Sequence, residues 1–95
     1  MADYRISVVI PVLNEQEVLP ELIRRLESVC DQMPTAEWQV IFVNDGSSDQ
    51  TEEIIADKVS ADGRFSLVCL SRNFGHQAAL SAGLDHADGN AMISM

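Results

Sequence analysis

Trp38-Gln39-Val40-Ile41-Phe42-Val43 runs straight into Asn44-Asp45-Gly46-Ser47-Ser48-Asp49, and this junction decides the fold. An apolar, β-branched run is stopped by a dense cluster of turn formers, which reads as a buried strand ending in a loop. Upstream, Ile6-Ser7-Val8-Val9-Ile10 is a second such run, closed by Pro11, and suits a strand buried on both faces. Downstream, Phe65 to Leu70 is a third, and Ala91 to Met95 starts a fourth.

Helical patterns fill the gaps. Val18, Leu19, Leu22, Ile23, Leu26, Val29, Cys30 and Met33 recur at three- and four-residue steps, with Glu21, Arg24, Arg25 and Glu27 between them. That spacing predicts an amphipathic helix, with Pro20 in its first turn, where a missing amide proton costs little. A second helix is expected to start through Ser48 or Asp49, with Glu52 and Glu53 favoured at its positive end and Ile54, Ile55 and Val59 inside. A third, about Gln77 to His86, is rich in small residues that allow close approach to a sheet. Strands alternating with helices predict α/β architecture, a parallel sheet built from βαβ units.

The chain has 95 residues, 6 basic and 15 acidic, for a formal net charge of −9. One modest core is affordable at this length, burying roughly 60–65% of the unfolded surface. The acidic balance argues against binding nucleic acid or an anionic membrane through overall charge, though not against an anion held locally. No apolar run approaches the ~18 residues of a membrane span, and the first residues do not read as a secretory signal. Cys30 and Cys69 lack C-x-x-C spacing and sit in apolar surroundings. They read as buried thiols, neither a disulfide nor a metal site. The sequence closes on a turn signal, Gly89-Asn90, and an apolar run, the pattern expected of a piece of a longer protein.

Ligands of open parallel sheets sit outside the carboxyl ends of the strands. Polar clusters fall at those ends: Asn14-Glu15 after the first strand, Asn44 to Asp49 after the second, and Ser71 to Gln77 after the third. Each has a plain structural reading as well. Glu15 suits a first helical turn, Asp45 before Gly46 suits a turn, and Arg72 suits a solvated surface. Asp49 reads better as a helix cap or turn residue than as a ligand contact. His76 and His86 have no partner at metal-ligand spacing. Together, however, two carboxylates at strand ends can accept from a ribose diol and a base N–H, and Arg72 can meet a phosphate. Neither G-x-G-x-x-G nor G-x-x-x-x-G-K-[ST] is present, so a nucleotide's phosphates need another counter-charge, such as a divalent metal.

Ser7-Val8-Val9-Ile10-Pro11-Val12-Leu13-Asn14-Glu15, followed by Val43 through Thr51, resembles the start of a family 2 glycosyltransferase with the GT-A fold. Leu70-Ser71-Arg72-Asn73-Phe74-Gly75-His76-Gln77-Ala78-Ala79-Leu80 is similar to the polyprenyl-phosphate glycosyltransferases, relatives of dolichol-phosphate mannose synthase. The resemblance covers the whole chain. It implies a Rossmann-like, three-layer α/β sheet, with residues 1–95 as the amino-terminal, nucleotide-binding part of a GT-A domain. It further implies that Pro11, Leu13 and Glu15 line the nucleotide pocket, with Glu15 near the ribose. By the same resemblance Val43 and Asp45 receive the base, and Arg72 lies near the nucleotide or diphosphate. Asn44 departs from the commoner Asp-Asp-Gly-Ser.

The implied partners are a UDP-sugar donor, UDP-glucose first, and a polyprenyl phosphate acceptor, with no nucleic acid. Mg²⁺ or Mn²⁺ would be held by an Asp-x-Asp motif expected beyond Met95. The catalytic residues and carboxy-terminal membrane helices would lie further on. The parent is thus expected on the cytoplasmic side of the cell membrane, and the 95 residues alone are expected to be soluble and inactive.

Two other readings stand beside this one. A receiver-like phosphoacceptor domain also gathers acids at strand ends, but places an acidic pair after its first strand. A non-catalytic assembly piece would expose strand edges and self-associate as a homo-oligomer.

Overall fold

A computed structural model describes residues 4–70 and 91–94, with the backbone alone at Tyr4 and at 91–94. The elements run β1 (Tyr4–Val12), α1 (Leu19–Gln32), β2 (Ala36–Asn44), α2 (Thr51–Ala61), β3 (Phe65–Cys69) and β4 (Ala91–Ser94). All pair in parallel in one sheet of order β3-β2-β1-β4. That is the Rossmann order; a receiver would place its third strand on the far side of the first, so the receiver reading falls. The helix expected over 77–86 lies outside the described residues.

Hydrophobic alternation sorts the sheet into two faces. Ile6, Val8, Ile10 and Val12 of β1 join Val40 and Phe42 of β2 and Phe65 of β3, and onto them pack Leu19, Ile23 and Cys30 of α1 and Ile55 of α2. Both helices therefore cover the same face. Val9, Ile41 and Val43 form a second buried cluster on the other, with Val68 and Leu70 against it. Burial on both faces is why the central strands read as continuous apolar runs. Phe42 and Phe65 stack with centroids 6.1 Å apart, fixing β3 beside β2.

Four details depart from the sequence reading. β1 does not close at Pro11 but runs on to Val12. The Val12 carbonyl accepts from the Asp45 amide on the β2 side. Alternation therefore turns the Pro11 nitrogen toward β4, where the described register has already ended at Val9↔Ser94. A missing donor costs little there. Val29 of α1 and the residues that flank the helix, Val18 and Met33, are exposed, because the stripe at helical spacing is wider and longer than the sheet contact. Neither Ser48 nor Asp49 is the residue that caps α2; Gln50 is, without a side-chain cap. Cys69 is exposed, at the end of an edge strand, while Cys30 is buried as expected. Pro20 does sit in the first turn of α1.

The opposite ends of the strands are tied by ions. Arg64, just before β3, meets Asp62 at 2.7 Å and Asp31 of α1 at 3.0 Å. The guanidinium beside Asp62 holds that carboxyl below its usual range.

Candidate functional site

The sheet order reverses between β1 and β4, and two loops, 13–18 and 45–50, leave the carboxyl ends of β1 and β2 beside that reversal. This is where ligands of open α/β sheets collect. Pro11 and Val43 are register partners on adjacent strands, so they share one face of the sheet at this edge. Val43 is fully buried and Pro11 half-buried. Leu13 is 37% exposed, an apolar side chain left open where the strand ends. Asp45 is buried at 4%, and its amide prolongs the ladder by donating to Val12. Glu15 is exposed at the start of the first loop. These five residues therefore lie along one edge; Arg72, the sixth candidate, lies outside the described residues.

The two loops are laced to each other. The amides of Asn14, Glu15 and Gln16 donate to Ser47 Oγ (2.9 Å), Thr51 Oγ1 (2.9 Å) and Asp49 Oδ2 (3.3 Å). In return, the amides of Ser48 and Gln50 donate to Asn14 Oδ1 (2.8 Å) and Gln16 Oε1 (3.0 Å). The Ser47 amide donates to Asn44 Oδ1, and that of Thr51 to Asp49 Oδ1. Asp49 is thus a turn residue, as its sequence position suggested. Burial acts to raise its carboxyl pKa, but hydrogen bonds from the Thr51 hydroxyl and amide and from the Gln16 amide outweigh this. They hold it below the ordinary value. Thr51 is fully buried, so its hydroxyl is aimed by packing.

This lacing has a chemical meaning. Consecutive free amides at the start of a helix make an anion cradle. Here the amides of 14–16 are already donated, and the Asp49 carboxylate stands among them. The first loop is not a phosphate cradle. At the strand ends stand instead an apolar side chain, Leu13, and two carboxylates, exposed Glu15 and buried Asp45, a set suited to a flat, N–H-bearing and hydroxyl-bearing ligand.

Sequence reasoning did not single out Ser47 and Thr51 as the residues that occupy these amides. Their separation of over thirty residues from the first loop leaves no local pattern. The one available hint was two Ser and Thr residues in a turn facing a strand end that begins with Asn14.

The profile of Glycosyl transferase family 2 matches residues 7–95. The chain belongs to Glycosyl transferase family 2. A glycosyltransferase of Bacillus subtilis (strain 168), named there as the uncharacterized YkcC, is 45% identical over 87 residues. That match takes in 92% of this chain and 27% of the relative. The undecaprenyl-phosphate 4-deoxy-4-formamido-L-arabinose transferase of Salmonella choleraesuis (strain SC-B67) is 42% identical over 92 residues, covering 96% of this chain and 28% of the relative. The chain thus spans little more than a quarter of the length of these curated relatives.

Among solved structures, the mannosyltransferase PcManGT of Pyrobaculum calidifontis, in complex with GDP-Man and Mn²⁺, superposes with a TM-score of 0.80. It is 22% identical, and the match covers 94% of this chain and 26% of that one. S. aureus TarS 1–349 in complex with UDP-GlcNAc gives 0.79 at 22% identity, over 96% of this chain and 26% of that one. At such identity the likeness shows the fold alone: this family 2 chain has the amino-terminal portion of the GT-A fold.

Among the described residues no group of three His, Cys, Asp or Glu side chains could hold a metal ion. The described part of the site therefore does not by itself fit a divalent metal. No helix among the described residues is long and apolar enough to cross a membrane.

Proposed function

We propose that residues 1–95 form the nucleotide-binding part of a glycosyltransferase that moves a hexose from a UDP-sugar to a polyprenyl phosphate. The observation that carries this reading is the pairing of spent loop amides with two carboxylates at the strand ends, Glu15 exposed and Asp45 buried. Such a surface takes a base and ribose and leaves the diphosphate to other groups. Asp45 accepts the base N–H, Glu15 accepts from the ribose diol, Leu13 and Pro11 wall the pocket, and buried Val43 is its floor. Arg72 is assigned to the nucleotide or diphosphate by resemblance. The Salmonella relative's name supports a polyprenyl phosphate acceptor; a membrane-associated parent rests on the sequence resemblance. The choice of glucose rests on the sequence resemblance. In the parent, Mg²⁺ or Mn²⁺ would come with ligands beyond Met95, and would offset charge on the departing diphosphate.

Calorimetric titration of the 95-residue chain with UDP and UDP-glucose, with and without Mg²⁺, tests the reading. Weak binding that ignores the metal is expected, and Asp45→Ala should weaken it about tenfold or more with little change in Tm. Tight, Mg²⁺-dependent binding would overturn the expectation of metal ligands elsewhere. Unchanged affinity in Asp45→Ala would remove Asp45 from the site.

A further inference from the structure

Asn14 stands between the two residues assigned to the pocket from the first loop, Leu13 and Glu15, and faces the loop that follows Asp45. Its backbone is left-handed, φ 52°, a conformation that Asn adopts more readily than most residues. That conformation lets one residue bond the opposite loop from both its main chain and its side chain. The amide donates to Ser47 Oγ at 2.9 Å, and Oδ1 accepts from the Ser48 amide at 2.8 Å and from Ser48 Oγ at 3.4 Å. Asn14 is itself exposed, so its contribution is not core packing. On the other loop the chain turns through Gly46, φ 82°, directly after Asp45. Asp45 is held at the strand end by its amide bond to Val12; past Val12 and Gly46, the bonds across the gap set where Leu13 and Glu15 stand relative to it.

We propose that Asn14 is a positioning residue, the pin that sets the spacing of the Leu13–Glu15 and Asp45 sides of the pocket without touching the ligand. This rests on the nucleotide-binding reading above. The pin acts on more than its own bonds. Gln16–Gln50 and Glu15–Thr51 are the neighbouring links of the same seam. Releasing Asn14 should loosen those as well, because each link holds only while the loops stay in register.

Two substitutions separate backbone from side chain. Asn14→Gly keeps the positive φ and the amide bond to Ser47 but removes the acceptor. Asn14→Asp keeps an acceptor for Ser48 and tolerates the same backbone. The probe is uridine, which is neutral, so the added carboxylate of Asn14→Asp does not act on it through charge. Amide chemical-shift titration and hydrogen exchange are measured on the 95-residue chain. Asn14→Gly should weaken uridine about tenfold and raise exchange at Gln50 and Glu15, the donors of the neighbouring links, as well as at Ser48. Asn14→Asp should restore both to near the parent behaviour. Wild-type affinity in Asn14→Gly, loss of protection confined to Ser48, or no rescue by Asn14→Asp would each overturn the pin. Absence of any uridine or UDP shift in the parent chain would instead sink the nucleotide reading. In that event the exchange pattern at Gln50 and Glu15 still decides whether Asn14 holds the loops.

Discussion

At Asn44 an amide stands where the family resemblance expects an acid, and the side chain shows what an amide does there. It is buried at 3%, accepts from the Ser47 amide and donates to Glu52 Oε1 at 3.4 Å. A carboxylate could do the first but would face Glu52 as a like charge. The same Glu52 oxygen accepts from Cys69 Sγ at 3.2 Å. Partial burial of the sulfur, then the hydrogen bond to Glu52 and its negative charge, push the Cys69 thiol above its ordinary pKa. Since the thiolate is the nucleophile, Cys69 should be alkylated by iodoacetamide more slowly than an unperturbed thiol, although it is exposed. Glu52→Gln should speed it severalfold at pH 8; mass spectrometry of the modified chain checks this, and an unchanged rate would mean the contact does not persist in solution. None of this was legible from Cys69 alone, whose apolar neighbours in sequence suggested burial. Side chains alternate along a strand, and the flanking apolar residues do not report the face that Cys69 occupies.

Among the elements, α1 and α2 lie side by side on one face and are joined by Lys58. Its ammonium sits 2.8 Å from Glu27 and 5.4 Å from the centroid of the Phe65 ring. The lysine side chain is only 18% exposed, so screening weakens this pair less than a surface pair. Lys58→Ala should cost about 1 kcal/mol of unfolding free energy, read by urea denaturation. In a double-mutant cycle with Glu27→Ala, a coupling energy near zero would leave the ring and the stem packing as the whole effect. The helices themselves were legible because burial on one side repeats every three or four residues, and β1 and β2 because they are buried on both sides. Glu27 was expected outside with the other charges. Periodicity placed it at the border of the helix, and only the neighbouring helix supplies the lysine that brings it in.

For the molecule as a whole, the ion pairs distribute acid sensitivity unevenly. Asp62 is held below the ordinary carboxylate range by Arg64, and Glu21 by Arg24 and Arg25; Asp49 is held low by its hydrogen bonds. A carboxyl whose folded pKa is depressed contributes stability that is fully present above its unfolded value, about 4. That contribution is lost as pH falls through the folded value. Thermal unfolding should therefore be flat in this contribution through neutral pH and fall below about pH 4. Asp62→Asn should lower Tm at pH 7 and shrink that acid drop; an equally steep drop in the variant would assign it elsewhere. The overall architecture and the edge that carries the candidate site could be read from the order of apolar runs and polar clusters. The seam that holds the site could not, since its bonds join residues 33 to 36 apart and follow no period.

The seam also shapes which mutational paths are open to this fold. Related loops elsewhere hold phosphate on bare amides at the same place in the sheet. To reach that state from here, Ser47, Asp49 and Thr51 would all have to release the amides of residues 14–16. Any one replacement frees a single donor and leaves the other two engaged, so it loosens the loop before it gains a ligand. The present arrangement and a phosphate cradle are neighbours in topology and distant in sequence space.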